Sequence, residues 1–399
     1  MIDKTGISTG KEVRTLLEQL ENGLILNYKR YFDDKDKPIS DVDFKQWQQE
    51  KMSRFSAFQK TNKSIVHSHI GPLNKSIMTD LQDSYNFGLT YVEKQIEKAT
   101  KKGAELKKIT TITTFAENRR VQKQLKEIQQ NLNKSFNNAL RDMDKQFMST
   151  VTRVKHFKSV APTINSAVDL ASKTLLFGGV TSGFTKDNKR TNLVTKLTTD
   201  TQEFSQEMMF IGEGEKSSEV GNHYVYITIH ASSCPLCTPW QNRVLIDDVY
   251  QNGKPDGKHP LLSTAIKAGL FHYNCRHNRL TFILGVDKIP NVPEYVPNIE
   301  TKSGKRPLVG KQHSIYNSEQ QQRYLERQIR KWKRVELGSV SDVEQKKARL
   351  KVRQWQSRRN HLVKSTDGLY RSQYWREKPG YKLNKDARWQ DLRYNKNLV

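Results

Sequence analysis

The chain has 399 residues, a formal net charge of +26 and a hydrophobic fraction of 35%, which is below the ~45–50% of an average globular protein. One core running through the whole chain is therefore not expected, and the charge favours a polyanionic partner, either nucleic acid or an acidic protein surface. The sequence has no apolar run of the ~20 residues that span a membrane, no secretory signal and only three cysteines, too few for a disulfide scaffold. We expect a soluble protein that is made in the cytoplasm and has no contact with a membrane.

Residues 1–156 are predicted to form a helical assembly region. Apolar residues recur at every third or fourth position from Ile77 to Ile96 and from Val121 to Phe147, which is the spacing of one face of an α-helix. Polar residues fill the positions between them, as in helices that bury one side only. We expect these long helices to pack as a coiled-coil-like bundle, either on one another or on a partner. The pattern indicates burial and identifies no partner.

Residues 157–300 are predicted to form a small α+β core module. Segments with alternating, β-branched and aromatic residues are typical of strands. Three such strands are predicted, at residues 223–230, 244–250 and 280–286. A short helix is expected over residues 261–268, where Gly269 supplies a C-terminal cap.

Residues 301–399 are predicted to form a basic, aromatic-rich helical tail, which completes an α+β fold made of a long-helix N-terminal bundle, a small α+β core module and this tail. The tail holds 26 Lys and Arg against 9 Asp and Glu, a net charge of +17, and four of the six tryptophans. Basic residues follow one face of each of two predicted helices, and the first of these faces lies opposite an apolar one. The expected nucleic-acid-binding residues are Arg323, Arg327, Arg330, Arg334, Lys347, Lys351 and Arg358. Such a surface neutralises phosphates without reading sequence; the alternative is a solvated helix face.

The three cysteines lie close together in the sequence, with several histidines. Cys234 and Cys237 form one pair with two residues between them, and His272 and Cys275 form another. Two such pairs supply the four Cys and His ligands of a tetrahedral structural zinc site, and zinc is the one cofactor that the sequence suggests. His230, His259 and His277 are spare ligands. The alternative is two reduced thiols in a turn and a third in a core, and the sequence leaves both open.

A metal-dependent nucleic-acid enzyme similar to the HNH nucleases is the alternative function. It would use the cluster of Cys234, Cys237, His272, Cys275 and His277. HNH chemistry requires a His, an Asn and a second His around one ion, but His272, Asn274 and His277 fall within six residues. That spacing is too short for separate elements to present them to one ion. We therefore favour a protein that is not an enzyme.

Five further segments occur in an order that resembles a known family. They are residues 240–244 (WQNRV), Gly269-Leu270 followed by residues 274–277 (NCRH), residues 283–286 (ILGV), residues 320–334 and residues 368–371 (GLYR). Together they resemble the phage minor capsid protein 2 family, whose members are relatives of the Mu F-like head-morphogenesis proteins. Asn242 stands where that family usually has Gly, and Cys234 and Cys237 are not general family positions.

The resemblance implies a virion protein of a tailed phage or prophage, made in the cytoplasm of the bacterial host. Its expected place is the capsid interior near the portal, where it would assist head assembly and DNA packaging or delivery. The implied partners are the portal protein, the capsid shell, packaged double-stranded DNA and further copies of the chain. The resemblance gives Trp240, Gln241, Asn274, Cys275, Arg276 and His277 a structural role rather than a catalytic one. A host-directed DNA-binding protein that is absent from the particle is a third possibility.

Overall fold

A computed structural model describes residues 7–8, 10–185, 187–229, 233–273, 275, 277–290, 312–366, 368–372 and 377. It contains long helices and two small antiparallel sheets, which confirms the predicted α+β class. The helices are α1 (Lys11–Phe32), α2 (Phe44–Ser53), α3 (Phe55–Lys101), α4 (Arg119–Arg153), α5 (Ile164–Ala171), α6 (Lys173–Gly178), α7 (Leu193–Glu219), α8 (Leu262–Lys267), α9 (Gln312–Gly338) and α10 (Asp342–Ser365). The strands are β1 (Thr181–Phe184), β2 (Arg190–Asn192), β3 (Tyr224–Ile227), β4 (Val244–Ile246) and β5 (Arg279–Thr281).

Helices α1, α3, α4 and α7 form the body of the molecule. The two apolar stripes read from the sequence are largely buried on α3 and α4 and face a common core. Short polar side chains begin two of these helices: Asn118 caps α4 and Asn192 caps α7 by accepting backbone N–H groups of the first turn. Within the described ranges, no helix combines the length and the apolar character needed to cross a bilayer.

Helices α3 and α7 cross at a pair of glycines. A Cβ atom at Gly88 of α3 would collide with the carbonyl oxygen of Met209, and one at Gly212 of α7 would collide with that of Tyr85. The two backbones therefore touch at this crossing, and only glycine leaves the space that they need.

The strands form a hairpin and a three-stranded sheet. Strands β1 and β2 pair antiparallel, with Phe184 opposite Arg190. In the second sheet β3 lies in the middle, between β4 and β5, so that Val225 is opposite both Leu245 and Thr281. This sheet and α8 enclose a small separate core that includes Cys234 and Cys237.

The last two helices pack on the bundle. Helix α9 contacts α1 and α6, and α10 packs on α9. Asp169 of α5 accepts the backbone N–H groups of Val340 and Ser341, at 2.8 and 3.0 Å, in the turn between α9 and α10. The main core thus includes side chains from all three predicted regions. The region boundaries at 156 and 300 stay predictions.

Candidate functional site

The structure brings together the cysteines and two of the histidines, which we call the Cys/His cluster: Cys234, Cys237, His272, Cys275 and His277. The Sγ atom of Cys234 lies 2.9 Å from Nε2 of His272, and the Sγ atoms of Cys237 and Cys275 lie 3.6 Å apart. Nδ1 of His277 is 3.4 Å from the Cys275 sulfur. Cys237 belongs to both groups of three whose ligand atoms lie within 4.8 Å of one another, one with Cys234 and His272 and one with Cys275 and His277. Residue 230 lies outside the described residues, and His259 pairs with Asp256 instead.

Two tight turns present these side chains. The N–H of Cys237 donates to the carbonyl of Cys234 at 3.2 Å, and the N–H of Cys275 donates to that of His272 at 2.7 Å. Each pair with two intervening residues is therefore closed by the same backbone hydrogen bond. The first turn follows β3, whereas the second precedes β5, so the cluster brings together the segments after β3 and before β5.

Hydrogen bonds fix the tautomers of both imidazoles. Nδ1 of His272 lies 2.9 Å from the carbonyl oxygen of Tyr273, and Nε2 of His277 lies 3.1 Å from Oε1 of Gln241. Because a carbonyl oxygen only accepts, these nitrogens carry the protons. The remaining nitrogens, Nε2 of His272 and Nδ1 of His277, face the sulfurs of Cys234 and Cys275. Metal-binding histidines are oriented in this way.

The thiols of the cluster differ in acidity. Hydrogen bonds from Cys237 and from His277 outweigh burial and lower the pKa of Cys275 to about 4. The same contact with Cys275, together with burial, raises the pKa of Cys237. Burial raises the pKa of Cys234, but hydrogen bonds from the Cys237 backbone and from His272 outweigh it and leave the pKa lowered. The contacts within the cluster therefore favour the thiolate form of Cys275 and the thiol form of Cys237.

Two described residues of the segment expected to have a structural role contact other parts of the module. Gln241 orients His277, and Trp240 packs against the core of the module. Asn242 has φ of 57°, a left-handed conformation that glycine adopts freely and asparagine tolerates. Tyr226 donates its hydroxyl proton to the Asn242 side chain at 3.0 Å. The turn therefore keeps a glycine-like conformation despite the asparagine. The predictions for residues 274 and 276 lie outside the described residues.

A buried ion network connects the module to helix α7. Arg279 of β5 donates to Asp247 and lies 3.4 Å from Glu213 of α7, and all three side chains are almost completely buried. The guanidinium also lies over the rings of Phe210 and Tyr250, at 4.8 and 4.3 Å from their centroids. Burial raises the pKa of Glu213 to about 8, although Arg279 opposes the rise. The raised pKa favours the neutral form of Glu213, so the direct hydrogen-bonded ion pair of the network is Arg279 with Asp247. Sequence reasoning missed this network, although charged residues in and beside short apolar strands were a signal.

The basic residues predicted on α9 and α10 divide into two groups. Arg327, Lys347 and Arg358 are exposed, and Arg323 and Lys351 are half-buried. Arg330 and Arg334 instead line a pocket with residues of α1 and α7.

The inward group meets acidic residues of α1. Arg334 lies 3.9 Å from Glu21 and donates to the carbonyl of Phe177 at 2.9 Å. Burial lowers the pKa of Arg330 to about 9, and the positive charges of Arg14 and Arg334 add to that effect. These two arginines therefore face the protein.

Two of the exposed arginines belong to a row of side chains in contact, which we call the Arg–aromatic ladder: Arg327, Tyr324, Trp355 and Arg358. The guanidinium carbon of Arg327 lies 5.9 Å from the Tyr324 ring centroid. Tyr324 meets Trp355 edge to face at 6.1 Å, and Arg358 lies 4.6 Å from the Trp355 centroid. Tyr324 was not among the residues predicted from the sequence, because its partner lies on the other helix.

Comparison with known proteins gives one match. A family model described as phage minor capsid protein 2 matches residues 8–364. The matched stretch begins in the helical N-terminal region, for which the sequence offered no motif, and includes almost all of α10. No curated protein and no solved structure matches the chain.

Proposed function

Because the chain belongs to the phage minor capsid protein 2 family, we propose that it is a non-enzymatic virion component that lies inside the head near the portal and contacts packaged double-stranded DNA. Membership in the family confirms the resemblance seen in the sequence and places the protein among phage capsid proteins. The portal contact, the DNA contact and self-association are parts of the proposal.

The Arg–aromatic ladder is the observation that supports DNA contact. Exposed arginines neutralise phosphates, and binding releases the counterions that surround the duplex. Stacking of Arg327 on Tyr324 and of Arg358 on Trp355 limits the conformations of these long side chains before they meet a partner. Lys347 adds charge to the exposed face of α10, where it also pairs with Glu344. A surface of this kind binds the backbone of any sequence.

The Cys/His cluster favours a structural role over phosphodiester hydrolysis. Hydrolytic metal sites keep a coordination position open for water. Here three sulfurs and one imidazole nitrogen come from two turns, and the imidazole of His277 lies beside them. Such a set is sufficient to close a site without solvent. We therefore assign no cleavage activity to the cluster. In a nuclease assay, we expect the wild type, His272→Ala and His277→Ala all to show only background cleavage.

Quantitative mass spectrometry of purified DNA-filled particles tests the proposal. Copies are counted relative to the major shell protein, and chemical cross-linking in the same particles identifies neighbours. We expect a few to tens of copies per particle and cross-links between the protein and the portal. Absence from particles, with presence in infected cells, would contradict the virion role and favour the host-directed DNA-binding protein. Presence without cross-links to the portal would place it elsewhere in the head.

A further inference from the structure

We propose that the Cys/His cluster binds one Zn²⁺ ion through Cys234, Cys237, Cys275 and His272. The inference does not depend on the capsid role, since it rests on the geometry of the module alone.

The ligand atoms of the cluster lie near the positions that a tetrahedral ion requires, with small movements of both turns. Zn–S bonds of ~2.3 Å and Zn–N bonds of ~2.0–2.1 Å place neighbouring ligand atoms about 3.5–3.8 Å apart. The Cys237 and Cys275 sulfurs already lie 3.6 Å apart. Cys234, Cys237 and His272 have ligand atoms within 4.8 Å of one another. For a tetrahedral site, the 2.9 Å separation between Cys234 and His272 has to open by ~0.6 Å. Cys275 also has to move closer to the other turn, because its sulfur is not within 4.8 Å of both Cys234 and His272.

The two ligand pairs lie in turns with the same spacing and the same closing hydrogen bond. Each places its two ligands three residues apart and closes with a backbone hydrogen bond from the second ligand residue to the first. The N–H of Thr238 also donates to the Cys234 carbonyl at 3.0 Å. This second hydrogen bond extends the first turn by one residue past Cys237. Two short turns that face each other with Cys and His side chains are the arrangement of structural zinc sites.

We assign the fourth position to His272 and a supporting role to His277. His272 belongs to one of the two turns, and the Tyr273 carbonyl holds its Nδ1 proton. His277 lies outside the turns, and its own backbone N–H donates to the Cys275 sulfur at 3.4 Å. An N–H donor stabilises a ligating thiolate. Gln241 fixes the ring of His277, so this residue positions Cys275 as an outer partner.

The ion would stabilise a module that has little core of its own. The buried residues of this core are Val225, Ile227, Cys234, Cys237, Leu245, Leu262, Ala265 and Leu270. A core of this size stabilises weakly, and small modules commonly rely on a metal or another cross-link. The ion would join the turn after β3 to the turn before β5, and these strands are neighbours in the sheet.

Metal analysis of the full-length chain, purified under reducing conditions without chelators, tests this inference. We expect one zinc ion per chain, released by a mercurial reagent that modifies the thiols. Replacement of zinc by Co²⁺ should give sulfur-to-cobalt charge-transfer bands and the intense visible bands of a tetrahedral site. Wild-type protein that is folded and reduced but binds neither Zn²⁺ nor Co²⁺ would overturn the proposal. Recovery of Cys237 and Cys275 as a disulfide from reducing cells would also overturn it.

Variants identify the ligands. Cys234→Ser, Cys237→Ser, Cys275→Ser and His272→Ala should lose the metal. His277→Ala should keep it with ~10–100-fold lower affinity, as expected for an outer partner. His259→Ala is the matched control, because this histidine lies in the same module but pairs with Asp256; it should retain full occupancy. If His277→Ala loses the metal and His272→Ala retains it, the assignment of the fourth ligand is wrong.

Discussion

Arg279 and Asp247 form an ion pair in which both side chains are completely buried. Asp247 also accepts the N–H groups of Val249 and Tyr250, at 3.0 and 2.7 Å, just after β4. Arg279 in turn donates to the carbonyl of Phe210 in α7. The pair therefore connects β5, the end of β4 and helix α7.

Replacing the cation alone should destabilise the fold. Arg279→Leu leaves the carboxylate of Asp247 buried without a partner, which typically costs about 3–5 kcal/mol. We expect a loss of this size in the free energy of unfolding, measured by urea denaturation. The control is Arg279→Leu with Asp247→Asn, which removes the charge and keeps an acceptor for the two N–H groups. If the double variant is as unstable as the single one, packing around Arg279 rather than charge accounts for the loss.

Because the two helix backbones touch at Gly88 and Gly212, we expect that neither position tolerates the methyl group of alanine. Gly88→Ala and Gly212→Ala each place Cβ against a carbonyl oxygen of the opposite helix. Separating the backbones should cost at least the ~1–3 kcal/mol of an overpacked core, visible as a lower melting temperature. In Gly178→Ala the nearest atom is Nε of Arg190 at 3.7 Å, an ordinary contact. We expect the free energy of unfolding of this control to equal that of the wild type or to exceed it by up to ~1 kcal/mol. Equal losses in all three variants would exclude the crossing as the cause.

Asp169 should make stability depend on pH. Burial raises its pKa to about 7, although the N–H groups of Val340 and Ser341 oppose the rise. The unfolded value is ~3.9. An acid with the higher pKa in the folded state contributes stability that is complete below the unfolded pKa and is lost as the pH rises through the folded pKa.

The Asp169→Asn variant lacks this ionisation. We therefore expect the free energy of unfolding of the wild type, taken relative to Asp169→Asn, to fall between about pH 4 and about pH 7, by up to ~1.4 kcal/mol per pH unit. Urea denaturation of both proteins across this range measures the difference. Parallel pH profiles would show that Asp169 does not titrate in the folded state over this window.

The proposed DNA contact predicts two different outcomes for arginines on one helical hairpin. Arg327→Gln with Arg358→Gln removes two exposed charges, so the slope of log affinity against log salt should fall by ~2. Arg330→Gln with Arg334→Gln removes charges that face α1 and should leave the slope unchanged. Fluorescence anisotropy with duplexes of unrelated sequence measures both. A lower slope in the second pair, or an unchanged slope in the first, would contradict the assignment of the surface.

Sequence patterns predicted the presence of these strands and helices more accurately than the residues at which they end. The strand predicted at residues 244–250 ends at Ile246, because the Asp247 side chain accepts the next N–H groups and starts a turn. The strand predicted at 280–286 occupies Arg279–Thr281, and the N–H of Val286 closes a turn on the carbonyl of Ile283. The helix expected at 261–268 is found at Leu262–Lys267.

Helix α7 shows why a stripe search fails for a central helix. It is buried on most sides and contains buried polar residues such as Thr201, Ser205 and Ser217. An element enclosed by others has no polar face, so apolar and polar residues do not alternate with the helical period. Its close approach to α3 depends on Gly88 and Gly212, which a search for rows of large apolar residues does not find.

The two groups of arginines on α9 show a second limit. Spacing places Arg323, Arg327, Arg330 and Arg334 near one face, and it cannot tell which part of that face is covered. Glu21 of α1, which meets Arg334, lies more than 300 positions earlier in the chain. By contrast, the Cys/His cluster could be proposed from sequence because both pairs have the spacing of a local turn.

The contact between Asp169 and the turn joining α9 to α10 has a mechanical consequence. The hairpin that carries the Arg–aromatic ladder is fixed to α5 at its turn and to α1 and α6 along α9. A polyanion would therefore meet charges that are already preorganised, without the entropic cost of ordering them on binding. A force that moving DNA exerts on this surface would be transmitted to the helical body. The force that the hairpin can withstand would therefore depend on the packing of α9.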